Sequence, residues 1–150
     1  MFQLLRSGFR RDSRQTATPQ ALLPQALLLT VFARVCLWLL PFKTVRGVLL
    51  DVADHGSRCD HRADQIVRVV ETASRCVPRA TCLTQALAME VLLRRSGIDC
   101  SLWIGVTEDA ENPSVAHAWI ESDGTVLCGN EQRDRFVPLV RFQGRSTYQP

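Results

Sequence analysis

Lysine is almost absent from this 150-residue chain: Lys43 is the single example, and the remaining basic residues are arginines. The net charge of +3 is modest, and beyond residue 15 no dense basic patch with interleaved aromatics occurs. Nucleic-acid binding is therefore not expected. Arginine in place of lysine favours bidentate bonds to carboxylates or phosphates. The N-terminus also lacks the signal-peptide order of basic start, apolar run and small-residue cleavage site. That points to a reducing cytoplasm, where the six cysteines (36, 59, 76, 82, 100 and 128) are thiols, most of them small core residues, and not three disulfides.

No clean apolar stretch of membrane-spanning length is present. The strongest run, ALLPQALLLTVFARVCLWLLPF at 21–42, is interrupted by Pro24, Gln25, Thr30 and Arg34. It reads as a buried or partner-binding helix, with loose attachment to a membrane surface left open. Internal repeats are lacking too. His55, Cys59 and His61, with Asp54 and Asp60, are the nearest thing to a metal cluster, but no second compact pair follows at zinc-finger spacing, so a structural loop is expected.

What is present is an ordinary globular composition, 46% apolar and 22% charged. A chain of this length folds as one domain that buries about 70% of its unfolded surface. Residues 1–18 read as a polar, partly disordered arm carrying Arg6, Arg10, Arg11 and Arg14. Residues 19–75 read as a helical lead-in and partner-docking region, and 76–150 as the chemical core, with 19–150 one compact unit. A helix from about Pro24 to Leu40 is stopped by Pro41, and a second short helix is weakened by Gly47 and ended by Gly56.

From about Arg62, Ile66, Val69, Val70 and Ala73 recur at helical spacing until Pro78. Thr81 then has the character of an N-cap for a helix that runs to Arg95, with Leu83, Ala86, Leu87 and Val91 on one face. Ser96-Gly97 ends it, and Arg94 and Arg95 suit its negative end. After Gly97 the pattern alternates. Leu102, Ile104 and Val106 share one strand face, and AHAWIESDGTVLCGN forms two strands around the Asp123-Gly124 turn. Trp103 and Trp119 sit on these half-buried strands as core residues more than as a stacking surface for substrate. The fold class is α+β, with a Cys-led helix packed on a small antiparallel sheet.

Thr81 as a cap puts Cys82 in the first helical turn, where unpaired N–H groups and the positive end of the helix dipole stabilise a thiolate. With a two-residue turn, each step outward along the hairpin pairs successive residues and sets His117 opposite Asn130. Opposed side chains lie about 4.5–5.5 Å apart at Cβ. The Asn130 amide oxygen would then hold one ring nitrogen and leave the other free to take a thiol proton. Cys82, His117 and Asn130 form the Cys-His-Asn pattern of thiol acyl-transfer enzymes, with an oxyanion site at the backbone N–H groups near Cys82. Such chemistry needs neither metal nor nucleotide. A longer loop would bring Gly129 or Glu131 to the place of Asn130.

At these residues the sequence resembles the transglutaminase-like leader peptidases of lasso-peptide biosynthesis, in the short stand-alone form without a leader-recognition domain. CLTQALAMEVLLRRSGIDCSLWIGV and AHAWIESDG carry the likeness, and ALLLTVFARVCLWLLPF resembles the helical lead-in. The likeness spans roughly 20–140. It implies Cys82 as nucleophile and His117 as base. The family's third residue is usually an aspartate on the following strand, where VLCGNEQRD has Asn130, with Glu131 and Asp134 nearby. The implied function is removal of the leader from a ribosomally made precursor peptide, which frees the core's amine for macrolactam formation. The implied partners are that precursor, a small leader-recognition protein and a separate ATP-dependent cyclase. Other papain-like amide chemistry (deamidation, transglutamination or general proteolysis) uses the same residues, and a non-catalytic docking module is the alternative from another class.

Overall fold

The computed structural model describes residues 19–56, 60–107, 115–129, 134–144 and 146–149. The arm at 1–18 and Cys59 lie outside the described residues. Four helices come first: α1 (Pro19–Leu39), α2 (Phe42–His55), α3 (Ala63–Cys76) and α4 (Cys82–Arg95). Five strands follow: β1 (Ser101–Thr107), β2 (Ala116–Ser122), β3 (Thr125–Cys128), β4 (Phe136–Gln143) and β5 (Ser146–Gln149). They form one antiparallel sheet in the order β3-β2-β1-β4-β5.

The expected α+β architecture is therefore found; β5 is a strand the alternation pattern does not mark, and three further differences concern detail. The first helix begins at Pro19 and runs through Pro24 without breaking. The bond that Pro24 cannot donate belongs to the carbonyl of residue 20, in the opening turn, where its loss costs least. The second difference is β4, which the alternation pattern does not reveal because Pro138 lies within it. A bulge between Ile104 and Gly105 in the β1–β4 ladder accommodates that segment. The third is the register of the β2–β3 hairpin, which bears on the site.

The core sits between the helices and one face of the sheet, and α4 is its axis. From Ala86 to Leu93 every α4 side chain is buried, so this helix is enclosed on all sides instead of showing a single apolar stripe. Leu22, Ala26, Leu29 and Ala33 of α1, Val45 and Leu49 of α2, and Ile66, Val70 and Ala73 of α3 join it in one cluster with Leu102, Ala118 and Ile120 of the sheet. The enclosed Glu90 is matched by Arg46, whose Nε donates to Oε2 at 3.1 Å and whose Nη2 donates to Oε1 at 2.6 Å. Arg46 also donates to the Gly144 carbonyl at 3.0 Å and lies over the Phe142 ring. One guanidinium thus ties α2 to α4 and to the end of β4, and a charge pair this deep is sustained by the bidentate geometry and the further bond to the Gly144 carbonyl.

Candidate active site

Arg79 takes a positive φ of 59° and turns the chain out of α3 toward the start of α4. The Thr81 backbone is extended, and its Oγ1 accepts from the Thr84 N–H at 3.3 Å while its carbonyl accepts from the Gln85 N–H at 3.1 Å. Cys82 is the first residue of the helix, half-buried, as the cap predicts. Among the described residues the N–H groups of Cys82 and Leu83 make no hydrogen bond, which leaves two donors at the helix start.

The hairpin turn is the two-residue kind, with φ of 47° at Asp123 and 74° at Gly124. Ser122 faces Thr125 and Glu121 faces Val126, as expected, but Ile120 then faces Cys128, so Leu127 is an extra residue. This corrects the uninterrupted register that sets His117 opposite Asn130: the register slips by one at Leu127, and the described pairs run as far as Ile120–Cys128. Asn130 and Glu131 lie outside the described residues. Asp134 is exposed in a short turn before β4.

Among the described residues β3 pairs only with the second half of β2. Gly129, at φ 78°, turns the chain back, and its carbonyl oxygen lies 3.1 Å from His117 Nε2. A carbonyl only accepts, so Nε2 carries the ring proton and Nδ1 of the neutral ring is a bare acceptor. Among the described residues the hydrogen-bond partner of the ring is thus a backbone oxygen, and Asn130 lies outside them.

No larger residue fits at 129. A Cβ there would stand 2.8 Å from His117 Nε2 and 3.0 Å from Trp119 Cβ. The imidazole is held on its faces as well, against Phe136 with centroids 4.9 Å apart and against Trp119 at 6.2 Å. Trp119, fully buried, stacks in turn on its cross-strand partner Trp103 at 6.2 Å, with Arg141 over the Trp103 ring. Gly105 makes room for this stack, since a Cβ on it would reach the Trp119 ring at 2.9 Å. The tryptophans therefore serve as a packed backing for the histidine, which sequence periodicity alone did not reveal.

Cys82 and His117 line one cavity of about 710 Å³, together with Glu71, Gln85, Cys128 and Gly129. The other buried thiols are of a different kind. Burial, with a smaller push from Glu90, raises Cys100 to about 12, and burial raises Cys128 to about 11, so both stay protonated at neutral pH. In the His55–His61 segment His55 Nδ1 sits 2.9 Å from the Asp51 carbonyl and His61 is buried, while Cys59 lies outside the described residues, among which no cluster of metal-ligating side chains occurs.

A half-buried thiol at a capped helix start, facing a histidine strand across a cavity, is the layout that thiol acyl-transfer folds share. Comparison with curated proteins and with solved structures finds no significant match. Comparison with family models finds one, described as the transglutaminase-like superfamily, over residues 26–141, from within α1 to the later part of β4. That match takes in most of the chain, including Cys82, His117 and the helices around them, and the chain belongs to the transglutaminase-like superfamily.

Proposed function

We propose that the protein is a cysteine peptidase that removes the leader from a ribosomally made lasso precursor peptide. The hydrogen bond from His117 Nε2 to the Gly129 carbonyl, which leaves Nδ1 as the acceptor of a ring that lines the same cavity as Cys82, carries the reading of a thiol enzyme. The choice of substrate rests on the likeness of the Cys82 helix and the AHAW strand to lasso leader peptidases.

In the first half-reaction His117 Nδ1 takes the Cys82 proton as Sγ bonds to the scissile carbonyl carbon. The oxyanion is placed toward the unpaired N–H groups of Cys82 and Leu83. Collapse breaks the C–N bond, and the imidazolium returns the proton to the leaving amine. Water then adds to the thioester with His117 again as base, and the S–C bond breaks to free Cys82 and the leader's carboxylate. The released core amine is the nucleophile that a separate ATP-dependent cyclase needs for the macrolactam, and a recognition protein presents the leader.

Mass spectrometry of a cognate precursor incubated with the protein and its recognition partner tests this. One cut at the leader–core junction, lost in Cys82→Ala, is the expected outcome. An uncut precursor beside folded protein and partner contradicts it, and conversion of a glutamine side chain without backbone cleavage assigns deamidase or transglutaminase chemistry instead.

A further inference from the structure

We propose that the outward face of α1 seats the protein on an anionic lipid bilayer. Of the side chains that α1 exposes between Ala21 and Leu39, only Gln25 is polar, and Leu23, Leu27, Leu28, Val31, Val35 and Trp38 run along its length. Leu28 is 71% exposed and Trp38 80%. At 1.5 Å per residue the stripe is about 30 Å long. An apolar surface of that extent, in which the half-buried Arg34 is the one charged side chain of the helix, marks an interaction site.

The other side of the helix decides how the site is used. Leu22, Ala26, Leu29, Thr30 and Ala33 are buried against α3 and α4, and the Thr30 hydroxyl is returned to the Ala26 carbonyl at 2.7 Å. The segment is long and apolar enough to cross a membrane, but crossing would strip these residues from the core. The helix therefore lies in the plane of the bilayer, half in its own domain and half in lipid, as monotopic helices do.

Charge and aromatic placement select lipid over a protein partner. α1 has no acidic residue, and Arg34 is its one charged side chain. The sequence ahead of it carries Arg6, Arg10, Arg11 and Arg14 against the single acid Asp12, and Lys43 is exposed just after its C-terminal end. Trp38, 80% exposed on the same face, has the amphipathic ring that suits the headgroup–acyl boundary in which an in-plane helix lies. An apolar face combined with a basic segment supplies the two signals that stable attachment to an anionic leaflet requires.

Flotation of the full chain with vesicles of phosphatidylcholine containing one-third phosphatidylglycerol tests this, beside vesicles of phosphatidylcholine alone and the doubly substituted variant Leu28→Gln, Trp38→Gln. Both replaced side chains are exposed, so the variant should melt as the wild type does. The wild type is expected to float with anionic vesicles about tenfold or more above the variant, and to float poorly with neutral ones. Its tryptophan emission should shift to the blue on adding anionic vesicles, a shift that reports Trp38 because Trp119 is already buried and Trp103 half-buried.

Several results overturn the inference: no flotation and no shift, equal flotation of the variant, or equal flotation on neutral lipid. Self-association of the wild type in sizing chromatography, lost in the variant and without vesicle binding, assigns the face to a second copy. Loss of leader-recognition-protein binding in the variant, again without vesicle binding, assigns it to that partner.

Discussion

His117 Nε2 lies 3.1 Å from the carbonyl oxygen of Gly129, and that contact exists because residue 129 has no side chain. The positive φ of 78° and the 2.8 Å approach of a notional Cβ to the ring both reserve the position for glycine. Gly129→Ala should displace the imidazole from the position it holds beside the Gly129 carbonyl. Misplacement of about 1 Å lowers turnover roughly a hundredfold. Steady-state cleavage assays beside thermal melting check this: activity should fall far more than stability, and unchanged kcat would show that the carbonyl does not orient the ring.

Thr81→Ala removes the Oγ1 acceptor of the Thr84 N–H at the start of α4. Loss of such a cap costs about 1 kcal/mol. Urea unfolding should report that decrease, while Thr81→Ser, which keeps the hydroxyl, should match the wild type more closely.

The Arg46–Glu90 pair predicts strong non-additivity. Glu90 is 1% exposed, so Arg46→Met leaves a carboxylate with little solvent and only Arg94 Nε near it, at 3.6 Å. Breaking one side of such a pair costs about 3–5 kcal/mol. The double variant Arg46→Met, Glu90→Leu should recover much of that loss in denaturant titrations, and simple additivity of the two single effects would contradict the pairing.

Cys100 and Cys128 predict a decline in stability at alkaline pH. Each thiol is held in the protonated form in the native state, to about 12 and about 11 respectively, against an ordinary value of 9.0. Above about pH 9 the unfolded chain loses these protons while the native state keeps them, so unfolding is favoured as the pH rises. Their contribution is complete below pH 9 and is lost as the pH climbs through 9 toward 11 and 12. Melting curves from pH 8 to 10.5 should fall more steeply for the wild type than for Cys100→Ala or Cys128→Ala, and parallel slopes would contradict the assignment.

Much of the fold was legible because its signals are local. The Ile66–Val70–Ala73 spacing, the Thr81 cap, the Gly97 stop and the Asp123-Gly124 turn each act within a few residues, and each is where the pattern places it. β4 was not legible, since Pro138 breaks its pattern and its partner β1 is distant in sequence. Arg46 and Glu90 stand 44 residues apart on two helices, and nothing local links them. At the site, Cys82 and His117 followed from a cap and a hairpin. The Gly129 carbonyl did not, because the extra residue at Leu127 arises from sheet twist and packing and carries no turn residue to mark it.

The central claim is that Cys82 forms a thioester with the leader. Intact-mass spectrometry of the protein, quenched in acid during turnover of a cognate precursor with its recognition partner, measures this directly. The account predicts a species heavier by the leader acyl group, mapped to the Cys82 peptide, and absent from Cys82→Ala and His117→Ala. Cleavage that proceeds undiminished in Cys82→Ala, with no adduct on the wild type, would contradict it.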